Sequence, residues 1–212
     1  MTETNQLALN RTTSKTTLKS TSCASAMPAV ALKMSSAMMK DGEALLDADG
    51  VAVRAVMEDE GALLWELARD AGGVDLNSPY AYMMLGRNFN TTCAVVEVFG
   101  LPAGFIAAHR LPKHPDVLFV WQVAVLPEFR GMGIAKRLLE GLVELPGCIG
   151  VRKMEATVTP SNSASEALFT AFAKARGADI SIHDGFTKSD FPEDEQHEEE
   201  RLFTIHPIHP IA

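Results

Sequence analysis

Val117-Leu-Phe-Val-Trp-Gln-Val-Ala-Val125 is nine residues without a charge, and Gln122 is its one strongly polar side chain. A strand that is apolar on both faces has to be covered on both sides, so it belongs in the middle of a sheet with helices above and below. The uncharged apolar stretch from Val117 to Pro127 is short of the roughly 20 residues of a membrane-spanning helix. The residues after the strand narrow its use. Leu126-Pro-Glu-Phe-Arg130 leads into Gly131-Met-Gly133, and a helix is predicted from Ile134 to about Leu145. Glycines let a backbone approach a ligand closely, and the free N–H groups that open a helix bind anions, a pyrophosphate among them. The turn is neither a dinucleotide fingerprint, since G-x-G-x-x-G is absent, nor a P-loop, since no Gly-Lys-Ser/Thr follows.

The flanking pattern supplies the rest of a mixed α/β sheet. Val51 to Val56 alternates like a strand, and Glu58 to Ala71 carries Leu63, Leu64, Leu67 and Ala68 at helical spacing before Gly72-Gly73. Ser78-Pro79 reads as an N-cap and first-turn proline of a helix reaching Asn88. Thr91–Phe99 and Gly104–His109 are predicted as a hairpin turned by Gly100-Leu-Pro102. Lys153–Thr159 reads as a strand and Asn162–Arg176 as a helix closed by Gly177. Ala178–His183 and Arg201–Ile205 complete the series as two strands. The expected order is β-α-α-β-β-β-α-β-α-β-β without internal repeats.

Residues 1–48 differ in kind. Up to Met39 they hold one acid, Glu3, and no aromatic residue. Such a composition buries too little apolar surface to offset its ordering entropy, so a disordered extension is expected, with a transit peptide as the alternative. A folded domain is expected over 49–206 and a tail over 207–212. Charge is also uneven. The net −8 of the 212 residues is mostly carried between Asp184 and Glu200, where eight carboxylates face one lysine, Lys188. A net negative chain is a poor partner for nucleic-acid backbones. Such an acidic run is ordinarily solvated or tail-like. Cys23, Cys93 and Cys148 are widely spaced, odd in number and free of C-x-x-C. That pattern suggests neither a disulfide framework nor a zinc ribbon, and fits a reducing cytosol.

The strand, the turn Arg130-Gly-Met-Gly-Ile-Ala135 and the helix after it resemble motif A of the GNAT N-acetyltransferases. The element order from Val51 to Ile205 is similar to the α/β (α+β) fold of that family. Four further phrases make the likeness narrower: Asp75-Leu-Asn-Ser-Pro-Tyr80, Pro115 to Val125, Glu155-Ala-Thr-Val-Thr-Pro-Ser-Asn162 and His197-Glu-Glu-Glu-Arg-Leu-Phe203. They resemble the GNAT branch that acetylates L-2,4-diaminobutyrate in ectoine biosynthesis, over roughly residues 51–206.

The resemblance implies acetyl-CoA as co-substrate, no metal, a cytoplasmic homodimer and a role in osmoprotection. It places the CoA pyrophosphate on the amides of Arg130, Gly131, Met132, Gly133, Ile134 and Ala135. The pantetheine arm would lie along Gln122, Val123 and Val125, with Asn162 nearby on the later helix. An N–H near Val125 would polarise the thioester carbonyl. It also implies a substrate site of Asp75, Tyr80, Trp121, Glu155, Thr157 and His197. Read from the residues alone, Asp75 is a loop residue before a helix, Trp121 a core residue and His197 a loop histidine. Glu155 needs a cationic partner if it points inward, which makes it a candidate ligand or base. His197, among carboxylates, is expected to have a raised pKa. The family commonly carries Tyr where this chain has Phe169, so the proton for the departing thiolate must come from water or another group, Tyr80 being the candidate. Direct transfer in a ternary complex is expected. The alternatives are a GNAT enzyme acting on another small amine and a non-catalytic acyl-CoA sensor.

Overall fold

The computed structural model describes residues 50–193 and 197–208. Residues 1–49, where the extension is expected, and 209–212 lie outside them. Among the described residues eleven main elements come in the expected order: β1 Val51–Ala55, α1 Gly61–Ala71, α2 Pro79–Asn88, β2 Ala94–Val98, β3 Leu101–Leu111, β4 His114–Val125, α3 Ile134–Glu144, β5 Lys153–Val158, α4 Ser163–Arg176, β6 Asp179–Phe186 and β7 Glu200–His206.

They build one seven-stranded sheet in the order β1-β2-β3-β4-β5-β7-β6. The doubly apolar strand β4 is its central member, as its composition requires. Every neighbouring pair is antiparallel except β4 and β5. The sheet is covered on both faces. On one, Leu138, Leu139 and Leu142 of α3 and Phe169 and Phe172 of α4 pack with Leu118, Val120 and Met154. On the other, Leu64 and Leu67 of α1 and Tyr82 and Leu85 of α2 pack with Phe105, Ala107 and Ala124. Burying each such leucine or phenylalanine contributes about 1.5–3 kcal/mol.

Two details depart from the sequence pattern. The β2–β3 hairpin turns at Phe99-Gly100, both at positive φ, so β3 begins at Leu101 rather than after Pro102. In β4 the register with β3 slips, with Ala107 opposite Gln122 and Ala108 opposite Val120. Trp121 is therefore the extra residue of a β-bulge, and the bulge reverses the phase of the strand. Leu118 and Val120 face the α3/α4 layer before it, and Val123 and Val125 face that layer after it.

The C-terminal boundary also differs. Ile208 is buried in the α3/α4 core and its N–H donates to the Arg152 carbonyl. The folded part thus includes residues 207 and 208, which were expected to belong to the tail. Part of the acidic run is structured too, because the Asp190 carboxylate caps a short 3-10 turn through the Thr187 N–H and hydroxyl. No helix among the described residues is long and apolar enough to cross a membrane.

Candidate active site

The parallel ladder between β4 and β5 is short. It joins Val117–Val120 to Lys153–Ala156, and beyond it the two strands separate. A cleft of about 970 Å³ opens between their C-terminal ends, lined by Trp121 to Val125 on one side and Ala156 to Thr159 on the other. This is where open α/β sheets commonly take their ligands.

One end of the cleft is built from the glycine turn. Gly131 and Gly133 both sit at φ +75°, which a side chain adopts only with strain. Gly133 is the residue before α3, with no side-chain cap and no acid in the first helical turn. The opening N–H groups of α3 are thus left for a ligand, and an anion suits them. Gly131, Gly133, Ile134, Ala135 and Lys136 all line the cleft here, while Met132 points to solvent. Arg130 lines the cleft too, and its guanidinium ties this turn to its surroundings. It donates to the carbonyls of Val125, at 3.1 Å, and of Ala71 at the end of α1. On the facing helix, Asn162 lines the cleft and its Oδ1 accepts from the Ser165 N–H at 3.0 Å, capping α4.

The other end gathers Asp75, Trp121, Thr157, His197 and Glu200 from four separate segments. His197 is the hub. Its Nδ1 lies 2.7 Å from the Glu198 carbonyl, and its ring stacks on Phe191 with centroids 4.1 Å apart. A carbonyl can only accept, so Nδ1 carries a proton and Nε2 faces the cleft. Asp75 Oδ2 and Glu200 Oε1 each lie 3.9 Å from that Nε2. The imidazole pKa is raised, mainly by the bond to the Glu198 carbonyl and further by the carboxylates of Glu200 and Asp75. Partial burial pushes the Glu200 carboxyl above the ordinary carboxylate range, against the opposing pull of a hydrogen bond from Thr157 and of His197. Glu198 fastens the segment across the cleft, accepting from the Ser161 hydroxyl at 2.5 Å and the Ser161 N–H at 3.2 Å.

The structure thus brings Asp75, Trp121, Thr157 and His197 to one wall, with Gln122, Val123 and Val125 beside them. It leaves Tyr80 and Glu155 off that wall. Tyr80 is 71% exposed on the outer face of α2. Glu155 is opposite Phe119, inside the laddered part of β5, and its nearest cation is Lys153 at 3.9 Å. Glu200, which the sequence offers only as part of the acidic run around His197, lines the cleft where Glu155 does not. Its signal was its position three residues after His197. Phe169 also lines the cleft, almost fully buried against Phe203. Cys93 and Cys148 are buried away from it, with burial pushing their thiols up to about 12 and about 11. Among the described residues no group of His, Cys, Asp and Glu is arranged to hold a metal ion.

Residues 62–173 match the acetyltransferase (GNAT) family. An L-2,4-diaminobutyric acid acetyltransferase of Marinococcus halophilus is 44% identical over 150 residues, covering 71% of this chain and 86% of the relative. The enzyme of the same name from Streptomyces coelicolor is 44% identical over 151 residues, covering 70% and 88%. Among solved structures, the diaminobutyrate acetyltransferase of Paenibacillus lautus, in complex with its substrate L-2,4-diaminobutyric acid and coenzyme A, has a TM-score of 0.71 and 45% identity over 76% of this chain and 98% of that one. An acetyltransferase from Thermus thermophilus shares the fold alone, at TM-score 0.52 and 15% identity, covering 73% and 95%.

Proposed function

This chain belongs to the acetyltransferase (GNAT) family, and on that premise we propose that it transfers the acetyl group of acetyl-CoA to the 4-amino group of L-2,4-diaminobutyrate, a step of ectoine biosynthesis serving osmoprotection. The observation that carries the reading is that the Asp75 and Glu200 carboxylates both come within 3.9 Å of His197 Nε2, at one end of a cleft whose other end is an uncapped helix N-terminus. A diamine needs two acceptors, and a CoA thioester needs an anion site within one arm's length of them.

The pyrophosphate rests on the N–H groups opening α3, and the pantetheine arm lies along β4 where β5 has left it unpaired. Asp75 holds one ammonium group. Glu200 accepts the proton of the other, directly or through one water, and its raised pKa makes it a better acceptor than an ordinary carboxylate. The freed amine attacks the thioester carbonyl, whose developing oxyanion is met by a main-chain N–H near Val125. Collapse of the tetrahedral species forms the amide and expels the CoA thiolate; the second amine proton leaves to water, and through water reaches the thiolate, since Phe169 has no proton to give. Transfer is direct, within a ternary complex. An acyl-cysteine route has no support from Cys93 or Cys148, whose thiols stay neutral near pH 7 and lie outside the cleft. The family resemblance favours a cytoplasmic homodimer.

The test is CoA release with diaminobutyrate, ornithine, lysine and spermidine at equal concentrations, with the product identified by mass spectrometry. The expected result is a preference for diaminobutyrate and acetylation at N4. Equal rates on all four amines would overturn the substrate assignment. Binding of acetyl-CoA without turnover on any of them would favour the sensor, the reading to which Phe169 lends weight.

A further inference from the structure

Asp75 poses a mechanical problem. Its side chain is 93% exposed, yet it must hold a substrate ammonium at a fixed place. It sits in the loop between α1 and α2, where no ladder orders the backbone. The order comes from the far side of the sheet. Gln122 is 6% exposed, on the face of β4 turned towards α1 and α2. Its Nε2 donates to the Asp75 carbonyl at 2.8 Å, and its Oε1 accepts from the Tyr82 hydroxyl at 3.2 Å. Tyr82 is fully buried in α2, and its oxygen lies 3.4 Å from the Asn77 N–H of the same loop. The bulge at Trp121 sets this up. It places the Trp121 side chain at the cleft and the next residue, Gln122, on the opposite face.

We propose that Gln122 and Tyr82 form a strut that positions the Asp75 loop for substrate ammonium binding, Tyr82 acting through the Gln122 amide. Both are positioning residues. A buried glutamine needs partners in any fold; here one partner is the main chain of the residue that meets the substrate. Because the Asp75 carbonyl can only accept, Nε2 must face it, which leaves Oε1 to accept from the Tyr82 hydroxyl. The pair thereby links the strand that runs beside the acyl donor to the loop that holds the acceptor, so the distance between the two reactants is set by two hydrogen bonds. This rests on the assignment of Asp75 as an ammonium ligand made above.

The experiment uses the full chain with Tyr82→Phe, which keeps the ring and removes the hydroxyl, and Gln122→Met, which keeps the volume and removes both bonds. Amide hydrogen exchange over residues 74–78 and the KM for each substrate are measured together. Exchange in that loop should rise in both variants. The KM for diaminobutyrate should rise about three- to tenfold, the scale of a single net hydrogen bond, and in Tyr82→Phe the KM for acetyl-CoA should stay put. The double variant should add little to Gln122→Met alone, no more than the loss of the long Tyr82 contact to the Asn77 N–H. Unchanged exchange at 74–78 overturns the strut, whichever amine proves to be the substrate. Faster exchange with an unchanged KM for diaminobutyrate overturns its positioning role, as does an equal rise in both KM values in Tyr82→Phe. Wild-type enzyme that ignores diaminobutyrate would overturn the substrate assignment instead, and the exchange measurement would still decide the strut.

Discussion

Glu200 and Glu155 show how far a residue can be read from its neighbours in sequence. Both fall in phrases that resemble the family, and Glu155 shares a face of its strand with Thr157, as alternation predicts. The difference is two residues along β5, about 6.6 Å at the rise of a strand. That is enough to put Glu155 under the rungs that still join β4 to β5, and Thr157 past the last of them. No periodicity reports where two strands separate. Glu200 arrives in the cleft because β7 pairs antiparallel with β5, setting Leu202 opposite Thr157 and Arg201 opposite Val158. Such a non-local pairing leaves no local signal. The assignment of Glu200 as base has a pH signature. Its carboxyl must be ionised to accept a proton, and its pKa is raised. Activity should therefore fall as the pH drops through a value above the ordinary carboxylate range, with full activity on the alkaline side. Glu200→Gln should lower kcat by about 10²–10⁴ and abolish that acid limb, the loss expected of a positioned base. A pH–rate profile of kcat with an unchanged acid limb would assign the proton transfer elsewhere.

Among the elements, those specified locally were legible. The glycine turn before α3, the proline opening α2, the Gly177 that closes α4 and the apolar run of β4 are all short-range patterns, and the structure places each as the sequence suggests. The β-bulge was not legible, because strict alternation carries Trp121, Val123 and Val125 on one face without it. The bulge keeps these three at the cleft and moves the phase break upstream, to Val120. The start of α3 gives a prediction that separates binding from folding. An acid in the first turn of a helix normally stabilises it by about 0.3–1 kcal/mol. Ala135→Asp should therefore leave Tm unchanged or higher, while its carboxylate opposes the pyrophosphate and raises the KM for acetyl-CoA about tenfold or more. Isothermal calorimetry with CoA reads this directly, and unaltered affinity would remove the helix N-terminus from the cofactor site.

For the molecule as a whole, charge is concentrated where a cationic substrate would enter. Glu198 and Glu200 line the cleft, and Asp190 and Glu193 lie in the segment leading to them. The composition of that run reads as a solvated tail. Its folding onto Ser161 depends on contacts 37 residues apart, which composition does not report. Steering by such a field is screened beyond about 8 Å at physiological ionic strength. The KM for diaminobutyrate should therefore rise with added salt, measured at constant pH with saturating acetyl-CoA. An unchanged KM would reduce the run to its structural contacts.

The short ladder between β4 and β5 also makes the sheet two plates sharing one narrow seam. Strands β1–β4 lie on one side and β5, β7 and β6 on the other. Among the described residues, the parallel rungs between Val117–Val120 and Lys153–Ala156 are the only strand pairing across that seam. An acyl carrier lying in the open part of the seam would add rungs where the protein supplies none. Acetyl-CoA would then act as a splint as well as a reagent, stiffening the enzyme on loading, and discharge of CoA would loosen the same joint.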